Sequence, residues 1–257
     1  MFSGTKMEAN RCSEEKGKAR SNLKTVIIVA SLVINIFSAS FVWVILLENR
    51  SLTSEVAHYK NLSDFYFSLM KSEGLVNSSI NVVGVREGSN EGVVMVAKIE
   101  LRVGEGRSLI STQPKIGIDL QTSLETAILV AENILLLSLE DIDVILTMKS
   151  EEEIDIVDGP SAGAAITVVL MSAIKNQTID HNVYITGTIN SDGTIGPVGN
   201  LLEKALAAAE NGAEEFLVPL GQSTVTGTNI EEYLRQQGYD TVVMEVATIR
   251  QAYQRFT

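Results

Sequence analysis

Cysteine and histidine are nearly missing from this chain of 257 residues: Cys12 is the only thiol, and the two histidines, His58 and His181, lie far apart. One cysteine cannot close an intrachain disulfide, so no crosslinked framework points to a compartment. Neither histidine has a CxxC nearby at metal-ligand spacing, so no metal or other cofactor is expected. Basic residues are also scarce, 20 against 32 acidic ones, for a formal charge of −12. Binding a phosphate backbone requires clustered Lys and Arg, and this deficit excludes a nucleic-acid partner.

Charge is absent altogether from residues 25–47, "TVIIVASLVINIFSASFVWVILL". At about 1.5 Å per residue such a run reaches roughly the 30 Å thickness of a hydrocarbon core, which predicts a transmembrane helix. A buried core helix and a cleaved signal peptide are the competing readings. The small residues "SAS" at 38–40 suit cleavage, but "FVWVILL" continues the apolar run beyond them. Lys6, Arg11, Lys16, Lys18, Arg20 and Lys24 precede the run, whereas only Arg50 and Lys60 follow closely. That bias places the N-terminus in the cytoplasm and the rest outside a cell membrane crossed once. Residues 1–47 hold six of the twenty basic and three of the thirty-two acidic residues, so the remainder carries −15.

Leu52, Val56, Tyr59, Leu62, Tyr66 and Leu69 recur every three or four positions, which predicts an amphipathic helix over 50–72. Its apolar face can serve a stalk or pack on a domain. The expected organisation is a basic tail at 1–24, a membrane helix at 25–47, a helical linker at 48–79 and one domain over 80–257. Within that domain "VVMVAKIELRV" and "GRSLISTQ" read as two strands joined at Gly104 and Gly106. "TSLE" at 122–125 has capping-box spacing and predicts a helix through about Leu137. Strands "DIDVILTM", "NVYITGTI", "EEFLVP" and "DTVVMEV" then alternate with helices "SAGAAITVVLMSAI" and "VGNLLEKALAAAEN". Two leading strands followed by alternation indicate a single α/β-type or α+β domain.

In "DGPSAGAAITVVLMSAI", Pro160 occupies a first helical position and Asp158 and Gly159 supply the turn before it. Ser161 therefore falls on a first helical turn, where unpaired N–H groups and the positive dipole end can stabilise an oxyanion. The same residues equally make an ordinary helix start. A nucleophilic serine needs a base, and neither His58 nor His181 is well placed to supply one. "GPSAG" matches G-x-S-x-G only in form, since proline precedes the serine and no strand ends there. A buried lysine can act instead, because desolvation disfavours its ammonium form. Lys204 has Leu201, Ala207 and Ala208 as helical neighbours, which permits burial.

"DGPSAG" at 158–163, "TGT" at 186–188 and "GNLLEK" at 199–204 resemble, in order and spacing, the "DGPSAG", "TGE" and "GGLKEK" of the Lon proteolytic domain. The resemblance implies an α+β fold with a mixed sheet and packed helices, and a serine endopeptidase with a Ser-Lys dyad. It makes Ser161 the nucleophile and Lys204 the general base, with the Thr186 hydroxyl helping to hold the lysine and Asp158 and Gly159 supporting the serine turn. Thr188, Asn200 and Leu202 depart from the family's Glu, Gly and Lys. No G-x-x-x-x-G-K-[ST] occurs, so the expectation is ATP-independent hydrolysis of unfolded or short substrates, or partnership with a separate unfoldase. The resemblance also implies a homo-oligomer, often a six-membered ring. The alternative is a Lon-fold assembly or binding module without hydrolysis, though such relatives typically lack the serine or lysine retained here.

Overall fold

The computed structural model describes residues 31–32, 35–50, 52–53, 55–56, 59–60, 62–65, 75–86, 89, 91–112, 115–150, 156–157 and 159–257. It contains two compact units, Met1–Val56 and Ala57–Thr257. In the first, residues 35–50 are helical and expose Ile36, Phe37, Phe41 and Trp43. Residues 25–30 and 33–34 of the expected membrane span lie outside the described residues. Among the described residues no helix is long and apolar enough to cross a membrane. Of the amphipathic stripe, Leu52, Val56 and Tyr59 are exposed and Leu62 packs on the core beside the buried Phe65, while Tyr66 and Leu69 lie outside the described residues.

The second unit is a mixed α/β structure. Its strands are β1 (Leu75–Val85), β2 (Gly92–Val103), β3 (Ser108–Thr112), β4 (Lys115–Ile116), β5 (Ile142–Lys149), β6 (Ile156–Val157), β7 (Val183–Ile185), β8 (Thr188–Ile189), β9 (Ile195–Gly196), β10 (Glu215–Pro219), β11 (Thr224–Val225), β12 (Thr228–Asn229) and β13 (Val242–Val246). Helices are α1 (Ile118–Leu135), α2 (Gly163–Lys175), α3 (Leu201–Glu210), α4 (Ile230–Gln236) and α5 (Ile249–Phe256), with a 3₁₀ turn at Pro160–Ala162. Seven strands form one sheet in the order β13-β10-β7-β1-β2-β5-β3. β1 pairs antiparallel with β2 and parallel with β7.

Period-two alternation assigns each strand residue to a face. Val82, Ile185 and Leu217 point into a core shared with α1, α2 and α5; Val83, Tyr184, Phe216 and Val218 point into a second core with α3 and α4. Helix α2 is buried at all but one of its thirteen residues, which accounts for its having no polar face.

The central strand β1 was not among the expected strands, since its polar residues break the apolar alternation. Two of those groups, Ser78 and Asn81, are paired across the fold. The Ser78 and Ser172 hydroxyls lie 3.0 Å apart, and Asn81 Nδ2 donates to Tyr184 Oη at 2.9 Å.

The two strands expected on either side of Gly104 and Gly106 are β2 and β3, and β5 lies between them in the sheet. Asp143 of β5 accepts hydrogen bonds from the Glu105 and Arg107 amides at 3.0 Å and an ion pair from the Arg107 guanidinium at 2.6 Å. These contacts carry the connection over the end of β5, and they hold the Asp143 carboxyl well below the usual carboxylate range. A side chain at Gly104 would strike that carboxyl, its Cβ falling 2.2 Å from Asp143 Cγ. One expectation is corrected: Thr122 does not cap a helix, because α1 starts earlier, at Ile118, and the Thr122 hydroxyl donates back to the Ile118 carbonyl at 3.1 Å.

Helix α3 lies directly on the sheet at Gly92. A Cβ there would come within 2.2 Å of the Glu203 carbonyl oxygen and 2.7 Å of Ala207 Cβ. The obstacle is helix backbone, so the clash is relieved only by moving α3. Gly92→Ala is therefore expected to cost about 2 kcal/mol, measured as a lower urea midpoint at unchanged m-value.

Candidate active site

The two segments "DGPSAG" and "TGT" are stitched together through their backbones. Gly187 N–H donates to the Ser161 carbonyl at 3.0 Å, and Ala164 N–H donates to the Gly187 carbonyl at the same distance. Gly163 permits this approach, because a Cβ there would lie 2.7 Å from Ile189 Cγ2. Gly159 has φ 111°, a backbone conformation that L side chains rarely adopt. Asp158 lies outside the described residues.

Ser161 sits on the 3₁₀ turn immediately ahead of α2. The 13-residue helix thus directs its N-terminal dipole toward the serine. The Gly163 amide is engaged by the Pro160 carbonyl and the Ala164 amide by Gly187.

Lys204 projects from the first turn of α3 and is only 5% exposed. Leu201, Ala207 and Ala208 beside it are buried as well, so its helical neighbours are indeed apolar or small. Burial pushes the ammonium down to about 8, partly opposed by the adjacent Glu203 charge. Lowering the pKa from 10.5 raises the neutral fraction near pH 7.4 by roughly two hundredfold.

Ser161 and Lys204 open onto one cavity of about 410 Å³. Pro160, Thr188 and the Pro197–Asn200 loop line it on one side, and Gly84, Val85, Arg86, Val93 and Met95 from the β1–β2 hairpin line the other. The hairpin residues were not among the expected site residues, because distant strand positions carry no local signal for a shared cavity. Thr186 is fully buried, and its hydroxyl donates to the Ser161 carbonyl at 3.4 Å. It thus braces the serine turn, and among the described hydrogen bonds none joins it to Lys204.

Two departures from the family motif have a physical reading here. Asn200 adopts the left-handed conformation, φ 56° and ψ 44°, just ahead of α3. Glycine is the usual residue in such a position and asparagine its best-tolerated replacement, so asparagine suits the conformation of this turn. Asn200→Gly is expected to leave stability within a few tenths of a kcal/mol, whereas Asn200→Val costs about 1–2 kcal/mol; denaturation midpoints of the two variants provide the check. Thr188 faces the cavity, and its hydroxyl occupies the space that a Cβ on Gly196 would need, 2.3 Å away.

Residues 152–252 match the model of the Lon protease (S16) C-terminal proteolytic domain. The chain is 45% identical over 62 residues to a Lon protease of Buchnera aphidicola, covering 24% of this chain and 8% of that relative. It is 40% identical over 63 residues to Lon protease 2 of Bacillus subtilis, covering 24% and 11%. With a Lon protease of Phenylobacterium zucineum it shares 30% identity over 141 residues, covering 52% and 17%. The chain thus spans between 8% and 17% of the length of these relatives. The matched segment, residues 152–252, holds both Ser161 and Lys204 and is similar to the Lon protease C-terminal proteolytic domain.

Proposed function

We propose that residues 80–257 form a serine endopeptidase in which Ser161 is the nucleophile and Lys204 its general base. The observation that carries this reading is a buried lysine, pushed down to about 8, sharing one cavity with a serine at a helix start. Neutral Lys204 accepts the Ser161 proton as Oγ attacks a peptide carbonyl. The tetrahedral oxyanion is held by main-chain N–H groups at the helix start that carries Ser161. Collapse expels the amine, protonated by the Lys204 ammonium, and leaves an acyl-Ser161. Water, deprotonated by Lys204, then hydrolyses the ester and restores the serine.

Substrates on this reading are unfolded or loosely folded proteins, cut without ATP or delivered by a separate unfoldase. The charge-free run at 25–47, with basic residues before it, supports an anchor in the cell membrane with the peptidase outside. A linker then joins that anchor to the peptidase, and the body assembles as a homo-oligomer. Retention of both dyad residues favours hydrolysis over a purely assembling role. Incubating the full chain with unfolded casein in the absence of nucleotide tests the activity: acid-soluble peptides and covalent labelling by a fluorophosphonate are expected. An intact substrate together with an unlabelled Ser161 would refute it.

A further inference from the structure

The loop Pro197–Asn200 forms one wall of the cavity and leads directly into α3. Most of its length is exposed, and Val198 is only partly buried against the second core. A short exposed loop holds a fixed wall only if something ties its backbone. That tie is a single side chain, 24 positions away. The Val198 amide donates to Gln222 Oε1 at 2.9 Å, and Gln222 Nε2 donates to the Val198 carbonyl at 2.9 Å. One carboxamide thus satisfies both main-chain groups of one residue, as a neighbouring strand would.

Gln222 itself stands on a firm base. Its own amide donates to the Pro219 carbonyl at the end of β10 at 3.0 Å, and the Leu220 amide donates to the Val246 carbonyl at 3.1 Å. The Ser223 amide donates to Glu245 Oε1 at 2.9 Å, and the Ser223 carbonyl accepts from the Ile230 amide at 2.9 Å. The clamp therefore fastens the loop to the end of two adjacent parallel strands of the main sheet. Helix α3 does not depend on it, since Leu201, Ala205 and Ala208 are seated in the core and the helix backbone rests on Gly92.

We propose that Gln222 is a positioning residue for this peptidase, holding the Val198 wall of the cavity in the conformation that receives the substrate chain. The assignment of a substrate role to that wall rests on the dyad reading above; the two hydrogen bonds do not. Gln222 does not line the cavity and acts only through Val198. Losing it should weaken substrate binding and leave the lysine in place. KM should therefore move, while the pH midpoint set by Lys204 should not.

Gln222→Met keeps the length of the side chain and can make neither bond, and Gln222→Ala removes the volume as well. In the full-length protein acting on unfolded casein, both variants are expected to raise KM about tenfold, with kcat within about twofold of wild type and an unshifted pH profile. Backbone hydrogen exchange supplies a readout that needs no activity. The Val198 amide should lose protection by tenfold or more in Gln222→Met, while the amides of Ala205 to Ala208 in α3 exchange as in wild type. An unchanged Val198 exchange rate in Gln222→Met, or an unchanged KM in both Gln222 variants of an enzyme that Ser161→Ala inactivates, would overturn the proposal. Absence of hydrolysis in the wild type would overturn the peptidase reading and the substrate role of the wall together, and the exchange measurement would then decide the clamp alone.

Discussion

Ser161→Ala is expected to lower peptide-bond hydrolysis by a factor on the order of 10³ or more, with no change in fold. The size of the loss follows from chemistry: without Oγ no acyl-enzyme forms, and only the oxyanion site and substrate positioning remain. The preservation of the fold follows from which atoms of Ser161 are used structurally. Its carbonyl accepts from Gly187 N–H and from the Thr186 hydroxyl, and alanine keeps that carbonyl in place. Urea midpoints of the two proteins should agree within about 0.5 kcal/mol. The assay is release of peptides from unfolded casein; a variant that retains a tenth of wild-type turnover would remove Ser161 from the mechanism.

Lys204→Met should be equally inactive, yet more stable than wild type. The second effect comes from the sign of the pKa shift. Folding lowers the pKa of Lys204 from 10.5 to about 8, so the ionised side chain opposes folding. The opposition is complete below about pH 8, fades between about 8 and 10.5, and vanishes above the unfolded value. A shift of this size corresponds to roughly 3 kcal/mol at pH 7. Methionine has a similar length and no charge, so it fills the site without that penalty. The expected gain in Tm at pH 7 is about 5–10 °C, shrinking as the pH approaches 10. A solvated lysine would give neither result, and a lysine used only for packing would give the stability gain without the loss of hydrolysis. Thermal melts at pH 7 and pH 10, paired with casein assays, separate these cases.

Much of the site was legible because its chemistry is local. Helix-start residues around Ser161 and the small apolar neighbours of Lys204 follow from short spacings, and the structure buries Lys204 as those neighbours allowed. The largely apolar run of α2 was likewise legible as a helix, and the structure encloses it at all but one residue. What stayed hidden depends on distant partners. Strand β1 is central, but Ser78 and Asn81 disguise it until Ser172 and Tyr184 are beside them. The strands on either side of Gly104 and Gly106 were legible, but nothing local announces that Asp143 draws their connection across β5. Thr122 and Glu125 had cap spacing, yet the helix propagates four residues further back to Ile118. The contact of the Thr186 hydroxyl with the Ser161 carbonyl was hidden for a similar reason, since it is set by how the chain after β7 and the serine turn pack. Gln222 carries no motif at all, since a carboxamide becomes a clamp only where a free N–H and C=O of one residue face it.

The central claim is that the neutral form of Lys204 activates Ser161. The most direct measurement is the rate of covalent Ser161 labelling by a fluorophosphonate, followed from pH 6 to pH 10 in the full-length protein. The expected profile is a single rise with its midpoint near 8, levelling off above pH 9, and in Lys204→Met a flat line near the background rate. A wild-type profile with its midpoint near 6.5, as an imidazole base gives, or a pH-dependent rise that survives in Lys204→Met, would contradict it.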